Sequence, residues 1–277
     1  MFHTARSVGG LSLPENRMTQ SEQGVSPERR RDQILAYVST RDRSSVGELS
    51  QVLGVSEVTV RKDLDVLEAQ GVLTRVHGGA VVSGRGRLEL YFAAREQEHL
   101  EAKRRIAQAA AALIQSGQRI FLDASTTALQ IARLIKDRED LIVVTNGLYT
   151  ALELNFCAGI TTVVVGGTMR RRSSSLIGSL SPHTVQRLRV ELGFFGARGV
   201  TARDGMLESD LDEAQLKQQM VAASGIVVGV ADASKFGTTS FCAFALPHEI
   251  DRIISDEGAP AELAQALREQ GIAVDLV

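Results

Sequence analysis

Four short segments combine hydroxyl, carboxylate and cationic groups, and each directly follows an apolar run. Asp123-Ala124-Ser125-Thr126-Thr127 offers hydroxyls and the free backbone amides of a helix that begins at about Ala128, an arrangement suited to phosphate. Thr145-Asn146-Gly147 follows the second run. Gly166-Gly167-Thr168-Met169-Arg170-Arg171-Arg172 combines close backbone approach with guanidinium groups that hold anions bidentately. Asp232-Ala233-Ser234-Lys235-Phe236 places a lysine near a carboxylate, where it could bind a hydroxyl or carbonyl group. Together these segments predict an anionic, polyhydroxylated ligand.

Each of these segments also has a purely structural explanation. The segment from Asp123 to Thr127 is a good plain helix cap. The glycine pair could be only a turn, the arginine run a solvated or interface patch, and Lys235 could pair with Asp232 across a loop. Four polar loops in one domain nevertheless favour a binding site over four unrelated coincidences.

The apolar runs predict the elements that would position these loops. They are Arg119 to Leu122, Leu141 to Thr145, Thr161 to Val165, Leu192 to Phe195, Ile226 to Val230 and Arg252 to Ser255. Helical stretches separate them, and a helical segment from Leu88 to about Gln115 precedes them. This alternation indicates an α/β domain with a mainly parallel sheet, in which ligands bind at the carboxyl ends of the strands.

A different pattern occupies residues 45 to 82. Ser45-Val46-Gly47-Glu48 is a capping box at a helix start, and Gly54 can end that helix. Ser56 is placed to cap a second helix from about Glu57 to Gln70, which Gly71 closes. Val72 to Arg75 and Ala80 to Val82 then read as two strands around His77-Gly78-Gly79, whose glycines permit positive φ. This order predicts a winged helix-turn-helix and therefore DNA binding.

The second helix of this unit has two different faces. Val60, Leu64 and Leu67 face inward, which leaves Glu57, Thr59, Arg61, Lys62 and Asp65 mainly outward. Hydroxyls at a helix start and cations along it are the groups that bind DNA phosphates and bases. The predicted DNA-binding residues are Ser45, Ser56, Glu57, Thr59, Arg61, Lys62, Arg75, His77 and Gly78. The alternative is an ordinary small helical bundle with a solvated charged face.

Composition agrees with two domains and excludes several other classes. The chain has 277 residues, 44% of them hydrophobic, and a net charge of −2, so any DNA-binding field must be local. Cys157 and Cys242 lack metal-ligand spacing and are expected to be core thiols, with no metal site and no cofactor. No apolar run could span a bilayer, which favours a cytoplasmic protein.

The predicted organisation has four parts: a disordered tail over 1–25, a DNA-binding domain over 26–82, a linker over 83–90, and an α/β effector-binding and oligomerisation domain over 91–277. For residues 1–25, a later start codon is the alternative.

The N-terminal residues resemble one known family. Arg31-Asp32-Gln33-Ile34-Leu35, Val46-Gly47-Glu48-Leu49, Ser56 to Leu64 and Gly71 to Ala80 are similar to the N-terminal domain of the DeoR family of bacterial transcriptional regulators. The resemblance implies a repressor-type regulator of carbohydrate metabolism whose C-terminal domain binds a phosphorylated sugar or related metabolite. We expect the protein to act on double-stranded operator DNA as a homo-oligomer, dimer or tetramer, that places paired recognition helices on repeated sites. We expect no membrane partner, because no apolar run is long enough to span a bilayer.

The resemblance continues to the C-terminus and implies a fold related to ribose-5-phosphate isomerase and glucosamine-6-phosphate deaminase. The predicted effector-binding residues are Asp123, Ser125, Thr126, Thr127, Thr145, Asn146, Gly166, Gly167, Arg170, Glu213, Lys217, Asp232 and Lys235. Two positions depart from the family pattern: Ser125 replaces a glycine, which could narrow the phosphate site, and Glu191 replaces an aspartate.

Two rival functions stay open at this point. Asp123 or Glu213, with Lys235, could in principle carry out the proton transfers of an aldose-ketose isomerase. A DNA-binding architectural protein without a ligand is the other rival. We expect no catalytic residues, because a sensor needs only ligand-dependent geometry whereas an isomerase would not need a DNA-binding unit.

Overall fold

The structure is a computed structural model that describes residues 26–39, 41, 43–82, 92–170, 173–178 and 182–277. The predicted tail over 1–25 and the predicted linker over 83–90 lie outside the described residues, as do Arg171 and Arg172 of the arginine run. No helix of the described part of the chain is long and apolar enough to cross a membrane.

Three helices and a small sheet form the N-terminal unit. The helices are α1 (Pro27–Ser39), α2 (Val46–Leu53) and α3 (Glu57–Ala69). The strands β1 (Ser44–Ser45), β2 (Leu73–Val76) and β3 (Gly79–Val82) pair antiparallel in the order β1-β3-β2. A common core contains the inward residues of α3 together with Ile34, Leu49, Leu73 and Ala80. The predicted winged helix-turn-helix is confirmed.

The predicted helix ends are confirmed at atomic detail. The Ser45 hydroxyl accepts from the Glu48 amide at 3.2 Å, and the Glu48 carboxylate accepts from the Ser45 amide at 2.8 Å. Gly54 ends α2 with φ of 64°, and Gly71 follows α3 with φ of 73°. These caps satisfy backbone groups that would otherwise lack partners, so they fix where each helix begins and ends.

The wing differs from the prediction in one respect. Gly78 has φ of 76°, as expected, but Gly79 does not have a positive φ. Gly79 instead pairs with Ser45 of β1, the strand that sequence reasoning missed, and a Cβ at this position would lie 2.2 Å from the Ser44 carbonyl oxygen. Glycine is therefore required here by close backbone approach.

A seven-stranded, wholly parallel sheet forms the centre of the C-terminal unit. Its strands are β4 (Arg119–Leu122), β5 (Leu141–Thr145), β6 (Ile160–Val164), β9 (Val190–Phe195), β12 (Ser224–Val230), β14 (Arg252–Ser255) and β15 (Ala273–Leu276). Their order is β15-β14-β12-β9-β4-β5-β6. The chain runs outward from β4 to β6 and later returns to β9 on the other side, so the topological switch point lies between β4 and β9.

Helices and small antiparallel pieces surround this sheet. The helices are α4 (Leu100–Ala112), α5 (Thr126–Leu134), α6 (Leu148–Leu154), α7 (Pro182–Val185), α8 (Leu211–Ala222) and α9 (Ala261–Glu269). A hairpin joins β7 (Thr168–Arg170) to β8 (Ser175–Ile177). A three-stranded sheet contains β10 (Gly199–Thr201), β11 (Gly205–Glu208) and β13 (Cys242–Ala245).

Neighbouring residues of the central strands enter two different cores. Phe121 and Phe195 belong to the core on one face of the sheet, whereas Ile120, Leu122 and Phe194 belong to the core on the other. Successive side chains of a strand point to opposite faces, so a sheet covered on both sides needs uninterrupted apolar runs. Cys157 and Cys242 are only half-buried, at the margins of these cores, rather than fully inside as expected.

The predicted long helix before β4 is interrupted. Residues 92–97 are helical, His99 adopts a left-handed conformation with φ of 53°, and α4 begins at Leu100. The Lys103 ammonium group donates to the carbonyl oxygens of Arg95 and Glu98, the latter at 2.5 Å. Lys103 thus satisfies the carbonyls that the break would leave without helical partners.

Candidate functional site

A polar pocket lies at the switch point, beside the carboxyl ends of β4, β9 and β12. Its empty volume, which includes space open to solvent, is about 400 Å³. It is lined by Arg95, Glu98, Lys103, Ser125, Thr126, Thr127, Gly196, Ala197, Arg198, Val230, Ala231, Asp232 and Lys235. Of the predicted effector residues, Ser125, Thr126, Thr127, Asp232 and Lys235 therefore lie together at one pocket.

The first turn of α5 forms one wall of this pocket. Ser125 is its N-cap and accepts from the Ala128 amide at 3.1 Å. The amides of Thr126 and Thr127 belong to the turn in which no intrahelical acceptor exists, so they present donors and the positive end of the helix dipole. The Ser125 side chain also explains Gly196, because a Cβ there would lie 2.4 Å from the Ser125 Cβ. The departure at Ser125 thus packs against a neighbouring loop while it caps the helix.

Cationic side chains face this helix start across the pocket. Lys103 is 4% exposed, and Arg95, Arg198 and Lys235 line the same pocket. Burial, assisted by the charges of Lys235 and Arg95, lowers the pKa of Lys103 to about 8, and Asp232 and Glu98 oppose the shift. A buried ammonium held among other cations is stabilised by an incoming anion.

Sequence reasoning missed Arg95, Glu98 and Lys103. One signal could have revealed Lys103: it stands three and four residues before Ile106 and Ala107, both buried, so a lysine occupies the apolar register of α4. Gly196 and Arg198 were also missed. They follow the apolar run of β9, where the same reasoning about the carboxyl ends of strands would have found them.

A buried ion cluster lies beneath the pocket lining. The Lys217 ammonium group is 3.0 Å from the Asp123 carboxylate, 2.9 Å from the Glu208 carboxylate and 2.9 Å from the Gly196 carbonyl oxygen. Asp123 is 0% exposed and also accepts from the amides of Ser125 at 3.0 Å and Gly196 at 2.9 Å. Asp123 and Lys217 thereby hold two loops of the pocket in place, and neither lines it.

Each charge in this cluster stabilises the ionised form of its neighbours of opposite sign. Burial opposes the ionised form of Glu208, but Lys217 and the Ser209 amide outweigh it and lower the pKa of Glu208 to about 2. Burial likewise opposes the charged form of Lys217, yet the carboxylates of Asp123, Glu208 and Glu213 raise its pKa. A lysine and two carboxylates out of water are therefore stable only as a set.

Arg170 and Glu213 pair with each other outside the pocket lining. The Arg170 guanidinium contacts the Glu213 carboxylate and lies 3.2 Å from the Asp210 carboxylate. Burial raises the pKa of Glu213, with Lys217 and Arg170 opposing the shift and Glu208 reinforcing it. The contact of either residue with an effector stays a prediction.

Thr145, Asn146 and the glycine pair support the β7–β8 hairpin. Thr145 accepts from the Gly147 amide at 3.0 Å, and Asn146 exchanges backbone and side-chain hydrogen bonds with Leu176 at 2.7 and 3.2 Å. A Cβ on Gly166 would lie 2.2 Å from the Leu176 Cβ, and Gly167 follows it in the same loop. These residues do not line the pocket described above, so their role in binding also stays a prediction.

The structure also shows the surroundings of Asp232, Lys235 and Glu191. Asp232 accepts from the Ser234 amide at 3.1 Å and from the Ser234 hydroxyl. Both Asp232 and Lys235 are described, and no ion pair joins them. Glu191 binds Arg119, whose amide donates to it at 2.7 Å, at the amino end of β9 and away from the pocket. No group of three or more potential metal ligands occurs among the residues that the structure describes.

The N-terminal unit presents a polar face on α3. The Ser56 hydroxyl accepts from the Thr59 amide at 3.2 Å and lies 2.9 Å from the Thr59 hydroxyl. Arg61 pairs with Glu57 at 2.5 Å and Arg75 with Asp65 at 3.1 Å, while Lys62 is exposed. In the wing, the His77 carbonyl accepts from Arg43 at 2.5 Å beside Gly78, and Ser45 caps α2. The predicted DNA-binding residues thus lie on one small unit, and their contacts with DNA stay a prediction.

A winged helix-turn-helix followed by an α/β domain with a cationic pocket defines a class of DNA-binding transcriptional regulators. Residues 30–85 match the DeoR-like helix-turn-helix domain, and residues 98–257 match the DeoR C terminal sensor domain. The chain belongs to the DeoR family of transcriptional regulators.

Named relatives cover almost the whole chain. A putative aga operon transcriptional repressor of Escherichia coli O157:H7 is 35% identical over 90% of this chain and 93% of its own length. The regulator GlpR of Haloferax volcanii is 37% identical over 90% and 97%. An L-fucose operon activator of Haemophilus influenzae is 34% identical over 86% and 96%.

Similarity to solved structures is weaker. A ribose 5-phosphate isomerase of Methanocaldococcus jannaschii, from the group that the sequence resemblance implied, is 16% identical over 48% of this chain and 53% of its own, with a TM-score of 0.37. The eIF2B delta protein of Chaetomium thermophilum is 12% identical over 82% and 89%, with a TM-score of 0.40. Scores this low carry no functional argument.

Proposed function

We propose that this regulator represses a carbohydrate-metabolism operon and that a phosphorylated sugar, or a related metabolite, controls its affinity for operator DNA. The names of two relatives, an aga operon repressor and an L-fucose operon activator, support control of sugar operons. The regulator acts on double-stranded DNA in the cytoplasm, as a homo-oligomer that places paired recognition helices on repeated sites.

One observation carries the effector proposal: the start of α5, the buried Lys103 and three half-buried cations line one pocket. The Thr126 and Thr127 amides, Lys103 and Lys235 supply donors and positive charge for a phosphate. Asp232 and Glu98 line the same pocket and supply acceptors for sugar hydroxyls. A ligand with a phosphate at one end and hydroxyls at the other fits this distribution of charge.

The position of Arg95, Glu98 and Lys103 suggests how binding reaches the DNA-binding unit. These pocket residues belong to the first described segment after the residues that join the two units. An effector that contacts Lys103 changes the interactions of the carbonyl groups of Arg95 and Glu98, which Lys103 now binds. Only a difference in effector affinity between two arrangements of the chain can shift their populations.

The burial of the candidate bases supports a sensor rather than an isomerase. Asp123 is 0% exposed and is held by Lys217 and two backbone amides. Glu213 pairs with Arg170. A general base must reach the proton that it removes from substrate, and these carboxylates are engaged below or beside the pocket.

A thermal-shift screen against sugar phosphates and their unphosphorylated parents tests the effector proposal. A ligand at one hundred times its Kd stabilises the folded state by about 2.7 kcal/mol. That corresponds to a rise in melting temperature of roughly 5–11 °C for a domain of this size. We expect a phosphate-dependent rise that Lys235→Ala abolishes.

The matched control is Lys136→Ala, since Lys136 pairs with Glu153 at the surface and does not line the pocket. A rise that both variants retain would place the ligand elsewhere. Turnover of the bound sugar phosphate that disappears in Lys235→Ala would restore the isomerase alternative.

A further inference from the structure

Val58 is an apolar side chain in an unexpected place. It is the second residue of α3 and is 59% exposed, whereas Val60 and Leu64 on the same helix are 0% exposed. It belongs neither to the core of the N-terminal unit nor to the partly buried residues packed against that core. Packing within the described structure therefore does not explain a valine here.

Helix geometry places Val58 opposite the core. At roughly 100° per residue, Val58 lies roughly 160° around the helix from Val60 and roughly 180° from Leu67, both buried. Lys62 follows it by one turn on the same outward face and is exposed. Val58 and Lys62 thus occupy the middle of the face that points away from the unit.

Three charged side chains near Val58 on α3 form ion pairs. Glu57 and Arg61 form an ion pair at 2.5 Å, and Asp65 binds Arg75 at 3.1 Å. Ser56 and Thr59 place their hydroxyls at the helix start, where phosphates bind. The apolar side chain of Val58 thus lies among hydroxyl and charged groups that could bind the DNA backbone.

We propose that Val58 contacts the 5-methyl group of a thymine in the major groove and thereby helps to select the operator sequence. The thymine methyl is the apolar feature that distinguishes this base pair in the major groove, and apolar side chains recognise it. The outward N-terminal part of a recognition helix is the part that reaches base edges. This inference rests on the proposed binding of operator DNA and adds one position of base selectivity to it.

The test begins by selecting operator duplexes from a random pool with the full-length protein. Each thymine of the selected site is then replaced by deoxyuridine, which removes only the methyl group. Operator Kd is measured for the native protein and for Val58→Ala on both duplexes. The matched control is Val66→Ala, because Val66 is 40% exposed on the same helix and lies eight residues, or roughly 12 Å, further along it.

We expect one thymine whose methyl removal weakens binding by the native protein about fourfold, the effect of one buried methyl group. The same replacement should have no further effect on Val58→Ala, whereas Val66→Ala should respond as the native protein does. If every deoxyuridine replacement weakens binding by Val58→Ala by the same factor as binding by the native protein, Val58 does not contact a thymine methyl and the inference is wrong. The proposed binding of operator DNA would be unaffected by that result. If no sequence is selected at all, the proposed function fails, and this inference fails with it.

Discussion

Replacing Lys217 by methionine tests whether the buried ion cluster organises the pocket. The substitution keeps an unbranched side chain but removes the ammonium group that Asp123 and Glu208, 0% and 3% exposed, share. Glu208 retains Arg198 at 3.4 Å, whereas Asp123 loses its cation. Removing one partner of a buried pair costs about 3–5 kcal/mol because the remaining charge stays buried. At roughly 2–4 °C per kcal/mol, the melting temperature of the C-terminal unit should fall by roughly 6–20 °C at pH 7.

The pH dependence separates lost charge pairing from lost packing. In the native protein the pKa of Glu208 is lowered from 4.5 to about 2, so its stabilising effect is present above pH 4.5 and is lost as the pH falls towards 2. In Lys217→Met the largest favourable charge on Glu208 is gone and Arg198, at 3.4 Å, is the cation that remains, so burial raises the pKa of Glu208 above its native value. Protonation of the buried carboxylate then removes the uncompensated charge from the variant as the pH falls. The loss of melting temperature relative to the native protein should therefore be smaller at pH 5 than at pH 7.

Thermal and urea denaturation of the full chain at both pH values would measure this difference. Lys136→Met is the control, since its surface pair with Glu153 should contribute at most about 1 kcal/mol. A melting temperature of Lys217→Met within roughly 2 °C of the native value would refute the reasoning. A deficit of equal size at pH 5 and pH 7 would show that packing, and not charge, accounts for the loss.

Three further predictions concern the pocket, the wing and the recognition helix. The effector Kd, measured by calorimetry, should be level from about pH 7 to about pH 8, where the phosphate is already a dianion, and should then rise. Lys103, which lies near Asp232, Lys235, Arg95 and Glu98, has a pKa of about 8 and must be protonated to hold an anion, so Lys103→Met should bind the effector more weakly and lack this rise. Gly79→Ala should destabilise the N-terminal unit by about 1–3 kcal/mol in thermal denaturation, since its Cβ would lie 2.2 Å from the Ser44 carbonyl oxygen; a stability equal to the native value would contradict this packing argument. Arg61→Ala should weaken specific operator binding by about 1–3 kcal/mol if Arg61 reads a base, whereas an equal loss on random DNA would assign it to the phosphate backbone.

Local signals allowed much of the fold to be predicted from the sequence. The helix ends at Ser45, Gly54, Ser56 and Gly71 depend on side-chain caps and glycine conformations that act over a few residues. The long apolar runs of the central strands follow from burial on both faces of a parallel sheet. Such features need no knowledge of distant contacts.

The parts that were missed depend on contacts between distant residues. The strand β1 has two residues and exists because Ser44 and Ser45 pair with the wing. The break at His99 depends on Lys103, whose ammonium group binds carbonyls on the other side of it. No period in the sequence marks either feature.

In the candidate site too, residues in local patterns were predicted and residues whose role depends on distant contacts were not. Ser125, Thr126 and Thr127 were predicted because a polar helix start after a strand is a local pattern, and they line the pocket. Asp123 and Lys217 are 94 residues apart in sequence, and only the fold reveals that they neutralise each other beneath the pocket. The function of a charged residue in such a domain depends on its partner, which spacing alone does not identify.

Operator affinity at increasing concentrations of a bound sugar phosphate is the most direct test of the central claim. With the selected operator and the full-length protein, we expect saturating effector to change the operator Kd by roughly fivefold or more, a typical coupling between two sites. The change should disappear in Lys235→Ala, while that variant binds the operator as the native protein does without effector. An operator Kd that stays constant while the effector demonstrably occupies the pocket would contradict the account.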